Sequence, residues 1–198
     1  MNEVRSAIAG TLAALVIVAL GACTSTPTLT ETARVADLYS SAVANGHAEQ
    51  AARLEDGKVT RAELDDSLDD FDACLTSKGL TYEFRSTNPV DGWRPIFDVF
   101  WPEQMDWDEG KSIASDCDQS TWMPISWGYE LTNPAVMDED FRDKLAECVG
   151  SKGLTSTGRE TNLTDFIPLG AQDPNATLVV DCANAVGAQY PYGIMLAY

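Results

Sequence analysis

Two short segments of this chain are nearly identical, and each begins with a cysteine. Residues 74–81 read CLTSKGLT and residues 148–155 read CVGSKGLT. When the two copies are set in register, the match extends beyond the phrase, because Phe71 corresponds to Leu145. The repetition predicts that one structural element occurs twice among the 198 residues, and this restricts the fold more than any other feature of the sequence.

The residues before the first cysteine predict an amphipathic helix. Apolar side chains fall on one side of a helical wheel and aspartates on the other: Leu64, Leu68, Phe71 and Leu75 against Asp65, Asp66, Asp69, Asp70 and Asp72. Thr60 and Glu63 have the spacing of a capping box at the start of this helix. Gly79 is placed to adopt the left-handed conformation that ends it.

The residues before the second cysteine predict a helix of the same kind. Asn133 is a suitable cap, and Pro134 suits the first helical position. Met137, Phe141, Leu145 and Val149 form the apolar stripe of this helix. Gly153 is placed to end this helix. The repeated phrase is therefore interpreted as the last turn of a helix and the residues that directly follow it, present in two copies.

Strand-like and helical segments follow each exit. The strand candidates are residues 80–86 and 95–101 in the first copy, and the weaker residues 155–160 and 164–169 in the second. Asp106 with Glu109, and Asp173 with Pro174, then mark the starts of two further helices. The predicted fold class is α+β, with two tandem helix-strand-strand-helix units, about 60–120 and 134–187, that share one small antiparallel sheet. Helices are expected on one face of that sheet, and an N-terminal helix with Val35, Leu38 and Ala42 on one side is expected to cover both units.

Four of the five cysteines lie beyond residue 23, and four cysteines allow three disulfide pairings. Each predicted unit has one cysteine on each of its helices, so the duplication favours Cys74 with Cys117 and Cys148 with Cys182. No CxxC motif is present, which argues against a redox pair and against a zinc site. Structural disulfides are therefore expected, in a compartment where disulfides persist.

The N-terminal residues have the layout of an export signal. Residues 7–20 are uncharged and apolar, and they are too short for the hydrocarbon core of a bilayer. The run Leu20-Gly21-Ala22-Cys23 that follows resembles a bacterial lipobox, which implies diacylglyceryl transfer to Cys23 and cleavage just before it. An ordinary secretory signal or signal anchor is the alternative. The expected organisation is a signal peptide at 1–22, a tether at 23–32 and a globular domain at 33–198, held at the outer face of the cell membrane by its lipid.

A longer pattern carries a second resemblance. Residues 55–80 read EDGKVTRAELDDSLDDFDACLTSKGL and are followed by a later helical cysteine. The pattern resembles a loose group of small secreted or lipidated actinobacterial proteins, over about residues 48–187. That group has no established activity, so the resemblance implies none.

The formal net charge of −18 argues against nucleic acid as a partner. Residues 56–63 match part of a calcium EF-hand loop, but the first and third ligand positions are Ala52 and Leu54. A turn with a capping box therefore explains this segment better, and no metal or cofactor is expected. Loose attraction of calcium to the acidic helix face is the weaker alternative.

Five tryptophans lie within 35 residues, and they are the candidate ligand-binding side chains. Phe97, Val99 and Trp101 alternate as expected for the core side of a strand. The preferred interpretation of the cluster as a whole is core. Trp93, Trp122 and Trp127 lie in loop-like sequence and are the best candidates for exposure, where they could stack on sugars or hold an apolar ligand.

No arrangement of catalytic residues is recognisable. His47 is the only histidine, and the chain has no nucleophile elbow, zinc protease motif or phosphate loop. The expected function is that of a non-catalytic surface lipoprotein that binds an envelope glycan or a protein partner. The alternatives are a carboxylate-dependent hydrolase acting on envelope or carbohydrate substrates, and a purely structural envelope component.

Overall fold

The computed structural model describes residues 30–192, which form helices and a two-stranded antiparallel sheet. The elements are α1 (Glu31–Ala44), α2 (Ala48–Leu54), α3 (Arg61–Ser77), β1 (Thr81–Thr87), β2 (Pro95–Phe100), α4 (Trp107–Cys117), α5 (Met123–Thr132), α6 (Glu139–Ser151) and α7 (Ala176–Gly187). The predicted mixture of helix and strand, with an N-terminal helix, is confirmed. The predicted signal peptide, Cys23 and the tether up to residue 29 lie outside the described residues. Thr30 caps α1, so that helix starts two residues before the predicted domain boundary.

Helix α3 forms as its sequence pattern predicts. The Thr60 hydroxyl accepts the Glu63 N–H, and the Glu63 carboxylate accepts the Thr60 N–H at 2.7 Å, which completes the capping box. Leu64, Phe71 and Leu75 are buried, and the aspartates lie on the outer side of the helix. The apolar stripe therefore sets which face of α3 packs on the rest of the protein.

The repeated phrase has the same structure in both copies. After α3, the Leu80 N–H donates to the Leu75 carbonyl at 3.0 Å, and after α6, the Leu154 N–H donates to the Val149 carbonyl at 3.0 Å. Gly79 and Gly153 take left-handed φ angles of 81° and 89°, which L residues adopt only at a cost. The two exits are thus one helix-ending motif used twice.

Strands β1 and β2 form a hairpin whose inner face packs on α3. Tyr82 pairs across the strands with Val99, and Phe84 pairs with Phe97. The Phe71 ring of α3 lies 6.1 Å from the Tyr82 ring and 5.5 Å from the Phe97 ring. The first unit therefore has the predicted order of helix, strand, strand and helix.

The second unit contains no strands among the described residues, so the prediction of strands in both units is wrong. Residues 155–169 form turns and a short 3₁₀ segment instead of a hairpin. The buried Glu160 carboxylate accepts the Thr157 N–H at 2.6 Å, and Asp165 accepts the Thr161 N–H at 2.7 Å. Side-chain carboxylates thus satisfy backbone donors that a strand ladder would otherwise have to pair.

Helix α6 begins five residues later than predicted. Asp138, not Asn133, is its cap, and the Asp138 carboxylate accepts the Asp140 N–H at 2.9 Å. The Asn133 amide instead donates to the Val59 carbonyl at 2.9 Å and to the Tyr129 carbonyl at 3.0 Å, at the end of α5. Asn133 therefore closes the preceding helix, and residues 134–138 run in irregular conformation.

Both predicted disulfides are present. Cys74 of α3 is bonded to Cys117 of α4, and Cys148 of α6 to Cys182 of α7, each with its Cα atoms 5.7 Å apart. Each bridge joins the two helices of one unit, as the duplication indicates. The bridged helix pairs belong to two separate apolar cores.

A third core fixes the position of α5. Val35 and Ala42 of α1 pack with Leu54, Val59 and Ile125, so α1 covers α2 and α5 and does not lie across both units as predicted. Between α4 and α5 the chain makes one π-helical turn, in which the Met123 N–H bonds to the Asp118 carbonyl. Pro124 explains this turn, because it has no N–H for the Ser120 carbonyl and its ring would crowd that carbonyl in an α-helix.

A candidate ligand groove around Trp127

The three tryptophans that are candidates for exposure differ in their surroundings. Trp127 is 49% exposed, but Trp93 and Trp122 are only 6% and 7% exposed, so these two are core residues and are wrong as candidates for an exposed binding surface. Both belong to the core that α3 forms with the hairpin. The Trp93 ring lies 5.2 Å from the Tyr129 ring, and the Arg94 guanidinium covers it at 5.0 Å. Tertiary packing therefore buries tryptophans whose local sequence has the character of a loop.

Trp127 lies in a groove between α1 and α5, which we call the Trp127 groove. Two depressions meet at this side chain, with volumes of about 750 Å³ and 370 Å³, and both are lined by Leu38 and Trp127. Trp127 follows the buried Ile125 by two residues, which turns its ring away from the core beneath α5. The groove thus has an aromatic side chain at its centre, with open space on either side.

The larger depression is lined mainly by charged side chains. Glu31, Arg34 and Asp37 come from α1 and Glu130 from α5, with Leu38 and Leu131 as the apolar part of the wall. Carboxylates accept hydrogen bonds and a guanidinium donates them, so this wall offers both kinds of partner to a polar ligand.

Half of the residues that line the smaller depression are polar, and none of them is an acid, a lysine or an arginine. Gln50 is only 2% exposed; its amide nitrogen donates to the Gln119 carbonyl at 3.0 Å, and its oxygen lies 3.1 Å from His47 Nδ1. Because that amide oxygen can only accept, Nδ1 of His47 carries the proton in this contact. Ser41 of α1, Asn45 directly after that helix, and Gln119 complete the polar lining.

A third depression, of about 650 Å³, continues the groove toward the hairpin turn. It shares Glu31 and Glu130 with the larger depression. Arg94 lies here between Glu130, at 3.2 Å, and Asp91, at 3.5 Å. The three depressions therefore form one elongated groove along α5.

Most of the groove residues were not identified from the sequence. Leu38, Gln50 and Glu130 come from separate helices and have no motif in common, so only tertiary structure brings them together. One signal in the sequence does indicate the position of Trp127. If residues 117–132 are treated as one nearly continuous helix, Ile125 and Trp127 lie on opposite faces of it, so a buried Ile125 implies an outward-facing Trp127. Pro124 conceals that continuity in the sequence.

Neither a metal site nor a membrane-spanning helix occurs in the part of the chain described. Within residues 30–192, no group of three or more His, Cys, Asp and Glu side chains is placed to hold a metal ion. In the loop that resembles an EF-hand, Asp56 accepts the Lys58 N–H at 2.9 Å and Glu63 caps α3. Over the same range of residues, none of the helices is both long enough and apolar enough to span a bilayer.

Comparison with known proteins finds no family model that matches the chain, no similar curated protein and no similar solved structure.

Proposed function

We propose that this protein is a lipid-anchored protein of the outer face of the cell membrane, and that it binds an envelope ligand in the Trp127 groove without converting it chemically. The observation that carries the proposal is the half-exposed Trp127 ring at the centre of an elongated groove. Large exposed aromatic faces are costly to leave in water and are common in ligand sites, where they bury much area with little loss of side-chain entropy. Its partner is an envelope glycan or a protein, and not nucleic acid, because the chain has a net charge of −18.

The anchor in this proposal is Cys23 of the lipobox-like run. The two disulfides are in keeping with an exported protein, because they persist in oxidising compartments. Glu31, which lines two depressions of the groove, is eight residues from Cys23, and eight residues span at most about 29 Å. The groove would therefore lie close to the membrane surface and take ligands from that zone.

Replacement of the anchoring cysteine tests the location. With Cys23→Ala, we expect the protein to leave the membrane fraction and to lose metabolic labelling by palmitate, since no thiol remains at the lipobox. The parent protein is the control. Unchanged labelling and unchanged membrane association of the Cys23→Ala variant would contradict the anchor.

Replacement of the groove tryptophan tests binding. We expect the anchored protein, cross-linked in its native membrane, to capture an envelope component, and Trp127→Ala to reduce that capture at least tenfold. Trp107→Ala is the matched control, because Trp107 is 66% exposed and does not line the groove. Trp127→Phe should retain most of the capture, because it keeps an aromatic face.

Two results would contradict this proposal. Equal capture by the parent and by Trp127→Ala, with circular dichroism spectra that show both to be folded, would remove the groove as the binding site. Release of soluble fragments from the captured component by the protein alone would show catalysis and would favour the hydrolase alternative.

A further inference from the structure

We infer that the ligand of the Trp127 groove is an uncharged linear glycan that lies lengthwise along α5, with one sugar stacked on Trp127. This inference rests on the proposed function and adds the chemical class of the ligand. Three features of the groove carry it: the placement of the aromatic ring, the continuity of the depressions, and the kind of polar group in each wall.

The aromatic ring suits a sugar within a chain better than an isolated small molecule. The C–H face of a sugar ring is apolar, and its hydroxyls project from the ring edge, so an indole can cover the face while the edges remain available for hydrogen bonds. Trp127 lines the depressions on both of its sides. A sugar stacked on it would have neighbours in both directions.

The continuity of the groove suits a ligand with repeating units. The polar depression joins the charged one at Leu38 and Trp127, and the charged one joins the third at Glu31 and Glu130. Each of the three, at 370–750 Å³, is large enough for a small ligand by itself. A linear oligomer is the simplest ligand that would occupy all three.

The polar groups of the walls match hydroxyls and reject anions. The charged part of the groove has four carboxylates and two guanidinium groups: Glu31, Asp37, Asp91 and Glu130 with Arg34 and Arg94. Arg94 is already paired with two of those carboxylates. An anionic chain would therefore meet net negative charge, whereas sugar hydroxyls can donate to the carboxylates and exchange hydrogen bonds with Asn45.

An extended peptide fits the two depressions at Trp127 less well. Their walls come from α1, α2, α5 and the π-helical turn, and no strand edge borders them. The N–H and C=O groups of an extended peptide would find no backbone ladder there and would depend on side chains alone. A glycan has no such obligatory backbone groups.

An oligosaccharide array probed with the full-length protein tests the inference. The array presents linear uncharged oligosaccharides of one to eight units, together with anionic oligosaccharides and extended peptides. We expect binding only to uncharged oligosaccharides. For a glycan that binds, we expect the affinity of a chain of four or more sugar units to be at least tenfold higher than that of the disaccharide of the same sugars. Trp127→Ala should weaken binding at least tenfold at every length, and Trp107→Ala should leave it unchanged.

A variant that blocks one end of the groove tests the lengthwise placement. Ser41 is exposed on α1 and lines only the polar depression, so Ser41→Phe would fill that space without entering a core. We expect this variant to bind short oligosaccharides as the parent does and to lose the gain in affinity shown by longer ones. Equal losses at every length would overturn the lengthwise placement.

The remaining outcomes separate this inference from the proposed function. Any of three results would overturn the assignment of a glycan as the ligand: no binding of uncharged oligosaccharides, preferential binding of anionic ones, or tight binding of peptides. If a membrane component other than a glycan were still captured in a manner dependent on Trp127, the proposed function would stand and only the assignment of a glycan ligand would be wrong. If capture did not depend on Trp127, both would fail.

Discussion

At the scale of single residues, Gly92 joins the hairpin turn to the segment before α6. It has a φ of 73°, and a Cβ atom placed on it would lie 2.3 Å from the Val136 carbonyl oxygen. Around it, the Val136 N–H donates to the Asp91 carbonyl at 3.1 Å, and the Asp138 N–H donates to the Pro89 carbonyl at 2.8 Å. A side chain at position 92 would therefore force the two segments apart and strain both hydrogen bonds.

We expect Gly92→Ala to lower the free energy of unfolding by about 3 kcal/mol, from the left-handed conformation and the backbone clash together. Gly158→Ala is the matched control, because Gly158 has a φ of 71° and nothing within 4 Å of an added Cβ. The control should cost only about 1–2 kcal/mol. Urea unfolding measures both values, and equal losses would show that the contact with Val136 is unimportant.

At the scale of the elements, the loop between α6 and α7 depends on one buried carboxylate. Glu160 is 6% exposed and accepts hydrogen bonds from the Thr157 N–H and from the hydroxyls of Ser156 and Thr157. Burial raises the pKa of Glu160, but these donors and its own N–H outweigh burial and bring the pKa from 4.5 down to about 2. The ionised form is therefore favoured by the folded loop.

The lowered pKa fixes the sign of the pH dependence. The stabilisation by Glu160 is present above about pH 4.5 and is lost as the pH falls toward 2, because only the unfolded chain takes up the proton in that window. Glu160→Gln should lower the free energy of unfolding at pH 7 by about 2 kcal/mol and flatten its fall between these pH values. Glu147→Gln, at an exposed position of α6, is the control. This role would be contradicted if urea unfolding showed the free energy of unfolding of Glu160→Gln to fall between pH 4.5 and 2 as steeply as that of the parent protein.

The same loop shows what the sequence predicts and what it does not. Local chemistry was sufficient for the capping box of α3 and for the exits at Gly79 and Gly153, because neighbours in the chain make these contacts. The sequence pattern predicts strands at 155–160 and 164–169, but carboxylates from within the loop satisfy the backbone there instead. The start of α6 was misplaced because Asn133 caps nothing there and bonds to Val59, 74 residues away. The groove around Trp127 depends on contacts of that long-range kind.

At the scale of the whole molecule, three apolar cores lie side by side. One joins α1, α2 and α5, one joins α3, the hairpin and α4, and one joins α6 and α7. Tyr129 packs against the first two cores, which makes them neighbours through α5. Val90, in the hairpin turn, packs against the third core. The α6–α7 core is thus connected to the others mainly through the turn that contains Gly92.

This arrangement predicts that the two disulfides stabilise different parts of the protein. In the chain-entropy model, loops of 43 and 34 residues give about 4 kcal/mol for each bridge. In the variant with both Cys148→Ala and Cys182→Ala, native-state hydrogen exchange should show a loss of protection in α6 and α7. The amides of α1, α3 and α5 should keep most of theirs, because their cores do not contain that bridge.

The variant with Cys74→Ala and Cys117→Ala is the matched control, and the reverse pattern is expected, with the loss greatest in α3 and α4. The two depressions at Trp127 give a second readout, because their walls belong to a part of the protein that the Cys148–Cys182 bridge does not join. Ligand capture should therefore survive removal of the bridge between α6 and α7. A uniform loss of protection in both variants would show that the three cores unfold as one cooperative unit, and would contradict the independence of the α6–α7 pair.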